Sequence, residues 1–312
     1  MTNYLTLMWK TAGNLSKRTG LSKGFLMWDA FWAYVKHGYS IREYNLGKGY
    51  ALRNFQKKNV VTYRRWMEIR RTFNDPNYEH FLEDKVDFNT LFSDFIHRKW
   101  IGTKNHTTDE VKRFIDKNAP VILKPIAEMQ GKGIQILASS ENYTEEAGQE
   151  YIIEELIKRH PQMVFNNSSV NTIRAYTVLD GNGEAHIIKT LLRVGKGNAI
   201  VDNVHAGGVL YPVNDETGRI EGPGLNPDYD TEFLVHPGSN IVMLGHQIPQ
   251  WDELCVQVKE AAKLLPQVRF IGWDITVTPG GIDFIEGNHN PDLELLEFIG
   301  KTGFYNKIMD LK

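Results

Sequence analysis

The pattern of apolar and polar positions is most regular near the C-terminus, where it predicts a pair of strands. From Phe270 to Thr278, apolar residues occupy every second position, which is the period of a half-buried strand. A second strand is predicted from Ile282 to Asn288, and the Pro279-Gly280-Gly281 segment between them suits a three-residue turn. The pattern therefore predicts a β-hairpin in which Thr278 pairs with Ile282.

This pairing places polar residues opposite each other on one face of the hairpin. Asp274 is expected to face Glu286, and Gly272 to face Asn288, with no side chain on the glycine to obstruct them. Two facing carboxylates repel each other, so a cation is expected between them. Oxygen ligands of this kind suit Mg²⁺. The alternative interpretation is an exposed hairpin with scattered acids.

A second strand pair is predicted around a lysine and a glycine-containing loop. The short apolar strand Val121–Pro125 carries Lys124 near its end, and the loop IAEMQGKG separates it from a strand over residues 134–137. A lysine at the end of an apolar strand needs an anionic partner or contact with solvent. The loop glycines free the backbone to wrap phosphate oxygens, although most glycine-containing hairpin loops bind nothing.

A further hairpin is predicted from residues 171–179 and 185–193, because the DGNG segment between them is a strong turn signal. With GN as a two-residue turn, Arg174 is expected to face Lys189. Facing like charges destabilise a sheet, so a bound anion between them is one interpretation. Arg193 is expected on the same face as Lys189. The alternative is that these long side chains extend into water.

The segment that follows this hairpin, DNVHAGG, combines polar side chains with a glycine pair. Asn203, His205, Gly207 and Gly208 indicate a loop whose backbone approaches a ligand closely. His205 suits a general acid or base near neutral pH. A structural or substrate-orienting histidine is an equally good interpretation.

The first eighty residues show helical periodicity. Residues 21–37 are predicted to form a helix with one large apolar face. That face consists of Phe25, Trp28, Phe31, Trp32 and Val35. Residues 57–71 form a basic stretch with Tyr63 and Trp66, which indicates either a solvated helix face or a patch for an acidic polymer or an anionic membrane surface.

Helices are also predicted in the rest of the chain. Asp87 is predicted to cap one, and Thr107 with Glu110 forms a capping-box pattern for another. Pro249 is predicted to open a helix that runs to about residue 265. Residues 214–240 are rich in Gly, Pro, Asn and Asp, and are predicted to form a long loop or lid.

Composition narrows the class of protein. The chain has 312 residues, 41% of them hydrophobic and 24% charged, with a net charge of −2, which is typical of a soluble globular protein and favours no nucleic-acid partner. A single cysteine excludes an internal disulfide and favours a reducing compartment. A secretory h-region and an apolar run of the roughly 18 residues that a membrane span needs are both missing. We expect a cytoplasmic protein without a transmembrane segment.

Taken together and in order, these features resemble the ATP-grasp superfamily. The matching pieces are Lys85, Lys124, the glycine loop, the apolar YIIEELI segment at residues 151–157, Arg174, DNVHAGG, and the Asp274, Glu286 and Asn288 set. The resemblance spans roughly residues 80–300 and is greatest to the sugar-transfer-associated ATP-grasp branch, a relative of α-L-glutamate ligases.

This resemblance implies an α+β ATP-grasp fold, in which two α+β subdomains clamp a nucleotide. Residues 81–312 would form the ATP-grasp domain, with a hinge near residues 151–157, and residues 1–80 a mainly helical N-terminal region. Most ATP-grasp enzymes carry a Rossmann-like domain in front. Because no strand–helix alternation is visible there, the site of the second substrate is left open.

The resemblance also implies roles for individual residues, with ATP and Mg²⁺ as cofactors. ATP would contact Lys85, Lys124, Gly131, Lys132, Gly133, Glu154, Glu155, Leu156 and Ile157. The metal ligands would be Asp274, Glu286 and Asn288. Catalytic roles would fall to Arg174, Lys189 and His205, and substrate contacts to Arg193, Asn203, Gly207 and Gly208. The residue that binds ribose is left open among His160, Gln162, Glu154 and Glu155.

The activity implied by the resemblance is an ATP-dependent carboxylate–amine ligase that works through an acyl phosphate. Its partners would be a small-molecule carboxylate and an amine, and the name of the branch suggests sugar-linked substrates in polysaccharide assembly. Two alternatives keep the same clamp. One is a small-molecule kinase that phosphorylates a hydroxyl group, and the other is a non-catalytic nucleotide-binding scaffold.

Overall fold

The structure is a computed structural model in which most of the chain is described. The described residues are 2–126, 133–145, 148–165, 170–195, 208–226, 231–292, 296–297 and 303–312, with side chains from residue 5 onward. Some of the predicted site residues lie outside these ranges. They are Gly131, Lys132, Asn203, His205 and Gly207.

Helices form most of the N-terminal quarter and then alternate with strands. The helices are α1 (Thr2–Thr19), α2 (Lys23–His37), α3 (Ile41–Leu46), α4 (Asn54–Lys57), α5 (Tyr63–Phe73), α6 (His80–Glu83), α7 (Lys85–Leu91), α8 (Thr108–Asn118), α9 (Trp251–Lys263) and α10 (Tyr305–Met309). Within the described part of the chain, no helix combines the length and the apolar character needed to cross a bilayer.

The strands form two antiparallel sheets. They are β1 (Trp100–Gly102), β2 (Val121–Pro125), β3 (Gln135–Leu137), β4 (Tyr151–Glu155), β5 (Thr172–Leu179), β6 (Ala185–Val194), β7 (Val209–Val213), β8 (Gly224–Leu225), β9 (Glu232–Phe233), β10 (Phe270–Thr278) and β11 (Gly281–Asn288). The small sheet has the order β1-β4-β2-β3, and the large sheet has the order β11-β10-β5-β6-β7-β8-β9.

Both faces of the large sheet are covered, which explains why its central strands are buried along their whole length. On one face, α9 packs through Trp251 and Leu254 against residues that include Trp273 and Ile275. On the other face, α5 and α10 pack against residues that include Tyr176. Burial of this apolar surface is the main force that holds the layers together.

The small sheet has its own core, which α8 covers. Val111 and Ile115 of that helix pack with Val121 and Ile153 of the sheet. The predicted capping box is present, since Thr107 accepts the backbone N–H of Glu110 and the Glu110 carboxylate accepts that of Thr107.

The N-terminal region is helical, as predicted, but its helices divide between two cores. A separate cluster joins α1, α2 and α3 through residues such as Met8, Leu26 and Tyr44, whereas α5 packs on the large sheet. The basic stretch 57–71 is not one helix, because α4 ends at Lys57 and α5 begins at Tyr63. The predicted boundary between residues 80 and 81 stays a prediction.

The β10–β11 hairpin contains the predicted pairing of Asp274 with Glu286, but its turn differs from the predicted one. Thr278 pairs with Gly281 rather than with Ile282, so the turn contains two residues and not three. A register shift between Asp274 and Ile275, where β11 carries one extra residue, then compensates. Asp274 therefore does face Glu286, as the sequence predicted.

The β5–β6 hairpin departs from the prediction. Leu179 pairs with Ala185, so residues 180–184 form a longer loop than the predicted two-residue turn, and a second register shift follows at Tyr176. Lys189 consequently faces Tyr176, and Arg174 faces Leu191. The predicted pairing of Arg174 with Lys189 is wrong because the turn and the bulge both shift the register.

Residues 214–240 are not entirely loop. Where they are described, they contain β8 and β9, which extend the large sheet beyond β7. Their turn-forming composition is consistent with strands of only two residues each.

Candidate active site

The acids of the β10–β11 hairpin converge with two arginines on one face of the large sheet. Asp274 is buried, and its Oδ2 accepts hydrogen bonds from Arg174 Nη2 at 3.1 Å and from Arg193 Nη1 at 2.9 Å. Arg174 Nε lies 2.9 Å from Asp274 Oδ1. Arg174 and Asp274 meet because they are direct partners in the β5–β10 pairing.

The carboxylates of this group are electrostatically unequal. Burial opposes ionisation of Asp274, but the guanidinium groups of Arg174 and Arg193 outweigh it and hold the pKa of Asp274 below its usual value. Desolvation by neighbouring protein atoms, followed by the negative charge of Asp274, raises the pKa of Glu286. Asn288 lies beside this pair, with Nδ2 donating to Glu286 Oε1 at 3.3 Å. The three predicted metal ligands are therefore adjacent.

The glycine opposite Asn288 is required by close packing. A Cβ at Gly272 would lie 2.5 Å from Pro291 Cβ and 3.2 Å from Arg174 Nη1. Gly272 pairs with Asn288, as predicted. The absence of a side chain thus lets the loop after β11 cross over the arginine.

The predicted phosphate lysines lie on the small-sheet side. Lys85 is the first residue of α7, where Asp84 rather than the predicted Asp87 caps the helix by accepting backbone N–H groups. Its Nζ donates to the carbonyls of Pro125 and Ile126 at 3.0 Å each. Burial lowers the pKa of Lys85, and the nearby charge of Glu286 partly opposes this shift. Lys85 thus connects the two halves of the site.

Lys124 is held by a buried carboxylate at the predicted hinge. Its Nζ donates to Glu154 Oε2, and Glu154 Oε1 accepts from Asn89 Nδ2 and Arg98 Nε at 2.9 Å each. Burial opposes the charge on Glu154, but Arg98 and Lys124 hold its pKa far below the usual range. Glu154 is therefore an ionised anchor for Lys124.

The next hinge residue is also paired. Glu155 accepts from the side chain of Lys99 at 2.9 Å and from its backbone N–H at 3.0 Å. Leu156 and Ile157 follow β4 directly, with partly exposed side chains. Adenine contact by this segment and the choice of ribose partner stay predictions.

Other predicted residues are distributed around this centre. Gly133 has a φ of +70°, and a Cβ there would lie 2.8 Å from Pro125 Cγ, so this position beside β2 requires glycine. Gly208 is buried immediately before β7. Lys189 does not join the arginines: its Nζ binds the carbonyl of Val213 and Glu221 Oε1 at 3.0 Å each. Its catalytic role stays a prediction.

Sequence reasoning missed Arg98, which joins the two sheets. Besides Glu154 on β4, it binds Asp283 Oδ1 and the carbonyl of Phe284 on β11, each at 2.7 Å from Nη1. The available signal was a single arginine between the apolar residues Ile96 and Trp100.

Sequence reasoning also missed the support of the loop after β11. Asn74 Nδ2 donates to the carbonyls of Phe270 and His289 at 3.0 and 3.1 Å. The His289 ring lies 2.9 Å from Glu79 and 3.1 Å from Arg70. The end of α5 therefore positions the residue next to Asn288, and no periodic pattern marks such a contact.

The described residues fit the implied cofactors. Two carboxylates and an amide offer the oxygen ligands that Mg²⁺ prefers. Arg174 Nη1 is buried and has no hydrogen-bond partner among the described residues, which fits an anion at this position. Two lysines with cationic side chains complete a site of the right charge for a polyphosphate.

Known structures with related folds were found by comparison. The ATP-grasp ligase PsnB, complexed with a phosphomimetic variant of a minimal precursor, Mg and ADP, has a TM-score of 0.47 and 16% identity over 77% of this chain and 60% of that chain. D-alanyl-alanine synthetase A from Vibrio cholerae O1 biovar eltor has a TM-score of 0.46 and 11% identity over 76% of this chain and 67% of that chain.

An ADP complex of PurK, N5-carboxyaminoimidazole ribonucleotide synthetase, has a TM-score of 0.44 and 13% identity over 68% of this chain and 46% of that chain. This chain thus spans about 60% of the length of the PsnB chain. A comparison with curated protein sequences found no match.

A comparison with models of protein families found a match over most of the chain. Residues 64–312 match the family described as sugar-transfer associated ATP-grasp. The match confirms the predicted superfamily, the predicted branch within it and the α+β ATP-grasp fold. The chain belongs to the sugar-transfer associated ATP-grasp family.

Proposed function

We propose that this protein is an ATP-dependent carboxylate–amine ligase that forms an amide through an acyl phosphate. In the first step, a substrate carboxylate oxygen attacks the γ-phosphorus of ATP, and the bond to the β-phosphate oxygen breaks to release ADP. In the second step, an amine attacks the acyl carbon, loses a proton and expels phosphate. Each turnover thus converts one ATP to ADP and phosphate.

The observation that supports this proposal most directly is the arginine pair on Asp274. Arg174 and Arg193 present cationic groups beside the proposed metal ligands, and Arg174 retains a buried N–H without a partner among the described residues. Charge spreads over the phosphoryl oxygens during transfer, so fixed cations at this position stabilise the transition state. We propose that Arg174 contacts the transferring phosphoryl group and Arg193 the substrate carboxylate.

The lysines of the other half would bind the remaining phosphates. Glu154 orients Lys124, and the carbonyls of Pro125 and Ile126 orient Lys85, so both cations are positioned before ATP arrives. We propose that adenine binds along residues 154–157 and that Gly133 shapes the loop over the phosphates. Asp274, Glu286 and Asn288 would hold magnesium, which neutralises phosphate charge and acts as a Lewis acid when bound.

The roles outside the described residues complete the proposal. His205 is proposed as a general acid or base for the amine, with Asn203, Gly207 and Gly208 close to the substrate. Gly131 and Lys132 are proposed to contact phosphate. The family description supports a sugar-linked carboxylate or amine, in surface-polysaccharide assembly. The single cysteine supports a reducing, cytoplasmic location.

A hydroxamate assay tests the reaction class. The protein is incubated with Mg²⁺-ATP, hydroxylamine as a surrogate amine, and a panel of amino acids and uronic acids. ADP release that depends on one acid and yields its hydroxamate is the expected result. Release of ADP with phosphate retained on a hydroxyl group of the acceptor would identify a kinase and contradict the proposal.

A further inference from the structure

The outer face of α2 is apolar although nothing in the described structure covers it. Leu26, Ala30 and Ala33 on the inner face are buried against the neighbouring helices. The large residues predicted to share one face lie on the opposite, outer side of this helix. Their exposed fractions are Phe25 43%, Trp28 61%, Phe31 50%, Trp32 38% and Val35 47%.

This face is unusual for the surface of a soluble domain. Single exposed apolar residues are common, but a contiguous stripe of aromatic side chains marks an interaction surface. The helix is apolar on both sides, whereas a helix at the edge of a core normally turns a polar face to solvent. The neighbouring α1 adds Trp9, which is 59% exposed.

A lysine near each end of α2 lies over a tryptophan ring of this region. Lys23 Nζ lies 3.3 Å from the centre of the Trp9 ring, and Lys36 Nζ lies 5.0 Å from that of Trp32. The acid within α2, Asp29, is turned inward, where it binds Lys57 and the hydroxyl group of Tyr44. The outer face of α2 therefore combines aromatic surface with positive charge.

The positive charge extends over the whole N-terminal region. Residues 1–80 contain fourteen Lys and Arg against five Asp and Glu, whereas residues 81–312 contain twenty-two against thirty-three. The small net charge of the chain thus conceals two regions of opposite sign. A negatively charged surface would attract the N-terminal region and repel the remainder, which orients the protein.

We propose that the outer face of α2 docks on the surface of a lipid bilayer that contains anionic lipids. Tryptophan and phenylalanine enter the boundary between headgroups and acyl chains, and flanking lysines bind anionic headgroups. An acidic polysaccharide would engage the cations but would leave the apolar stripe in water. The combination of both features therefore favours a bilayer. This inference does not depend on the ligase reaction.

Vesicle co-sedimentation of the full chain tests the proposal. Vesicles of phosphatidylcholine alone are compared with vesicles in which about a third of the lipid is phosphatidylglycerol. We expect binding to the anionic vesicles to be at least roughly tenfold stronger and to weaken with salt. The triple variant Trp28→Ser, Phe31→Ser, Trp32→Ser should bind the anionic vesicles at least about tenfold more weakly.

A matched control removes exposed apolar residues elsewhere. Val242 and Leu244 are 65% and 51% exposed in the ATP-grasp part, and the variant Val242→Ser, Leu244→Ser should bind vesicles like the unmodified protein. Circular dichroism and ATP binding should be the same for all variants, because the substituted side chains are exposed. A second variant, Lys23→Ser with Lys36→Ser, should lose only the preference for anionic lipid.

Several results would overturn the proposal. Equal binding to neutral and anionic vesicles would remove the role of charge, and an unaffected triple variant would remove the role of α2. A dimer that the triple variant dissociates, without vesicle binding by the unmodified protein, would make this face a contact between two copies. Binding to alginate but to neither vesicle would identify an acidic polymer as the partner.

Discussion

The helices α2 and α9 both carry a tryptophan-containing apolar stripe, yet they use it in opposite ways. In α9, Trp251 and Leu254 are 5% and 0% exposed and pack on the large sheet. In α2, Trp28 is 61% exposed, and the smaller residues Ala30 and Ala33 face the protein instead.

The two helices differ in the residues on the face opposite the apolar stripe. Behind the stripe of α9 are charged residues such as Asp252 and Glu253, which must face water, so the stripe has to face the core. Behind the stripe of α2 are Leu26, Ala30 and Ala33, which are apolar and are buried against α1 and α3. Periodicity locates an apolar face, and the residues opposite it decide which face is buried.

The largest expected effect is on ATP turnover and arises from a substitution in β11 of the large sheet. This substitution should not affect vesicle binding by α2. Glu286→Gln removes one proposed metal-ligand charge beside Asp274 and should lower ATP turnover about a hundredfold or more. Secondary structure and vesicle binding should be retained. ADP release measures the change, with Glu253→Gln on the exposed side of α9 as the control. Full activity of Glu286→Gln would contradict the proposed metal site.

The next effect tests the buried stripe of α9. Leu254→Ala removes a fully buried side chain and should lower the free energy of unfolding by about 2–5 kcal/mol. Val256 on the same helix is 61% exposed, so Val256→Ala should change it by less than about 0.5 kcal/mol. Urea denaturation measures both. Similar losses from the two variants would contradict the assignment of faces.

A smaller effect is expected where the N-terminal region meets the rest of the chain. Glu297 Oε1 accepts the backbone N–H groups of Val61 and Phe304, each at 2.9 Å. Burial raises the pKa of Glu297 from 4.5 to about 7, so the folded protein retains a proton that the unfolded chain releases. Its contribution to stability is complete below about pH 4.5 and is lost as the pH rises to about 7.

Glu297→Gln removes this titration. The variant should be more stable than the unmodified protein at pH 8, by about 1–3 kcal/mol, and the difference should shrink at pH 5. Urea denaturation at the two pH values measures it. Glu141→Gln, at an exposed position, is the control. A gain that is the same at both pH values would rule out titration of Glu297 as the cause.

The smallest effect on stability is expected on the exposed face of α2. Trp28→Ala should change the free energy of unfolding by less than about 0.5 kcal/mol, because the side chain is already in water. Urea denaturation measures this, in parallel with Leu254→Ala. A loss as large as that of Leu254→Ala would mean that Trp28 packs on protein, and the contrast between the helices would disappear.

Several strands and one of the strand pairings near the candidate site were predictable from local patterns. Alternation located β10 to the residue, and the DGNG turn signal located β5 almost to the residue. The predicted β10–β11 hairpin also placed Asp274 opposite Glu286. That success depended on compensation, since the predicted turn was one residue too long and the bulge restored the register. In the β5–β6 hairpin no such compensation occurred, and Lys189 was paired with the wrong residue. Alternation indicates which residues of a strand share a face, but it contains no information about bulges.

The contacts that support the site were not predictable in this way. Arg98 and Asn74 act on residues more than fifty positions away in the chain, and they look like ordinary polar residues in their local context. Their partners are defined only when the two sheets and α5 come together. The exposure of Trp28 was missed for the same reason, because exposure depends on what the rest of the fold covers.

The contacts of Arg98 have a consequence for motion within the molecule. A movement that pulled β4 straight away from β11 would strip Asp283 of its buried cation, which costs several kcal/mol. A rotation centred on Arg98 keeps both of its ion pairs. We therefore expect any movement of the small sheet relative to the large sheet to pivot about this residue, so that β4 and β11 remain joined there.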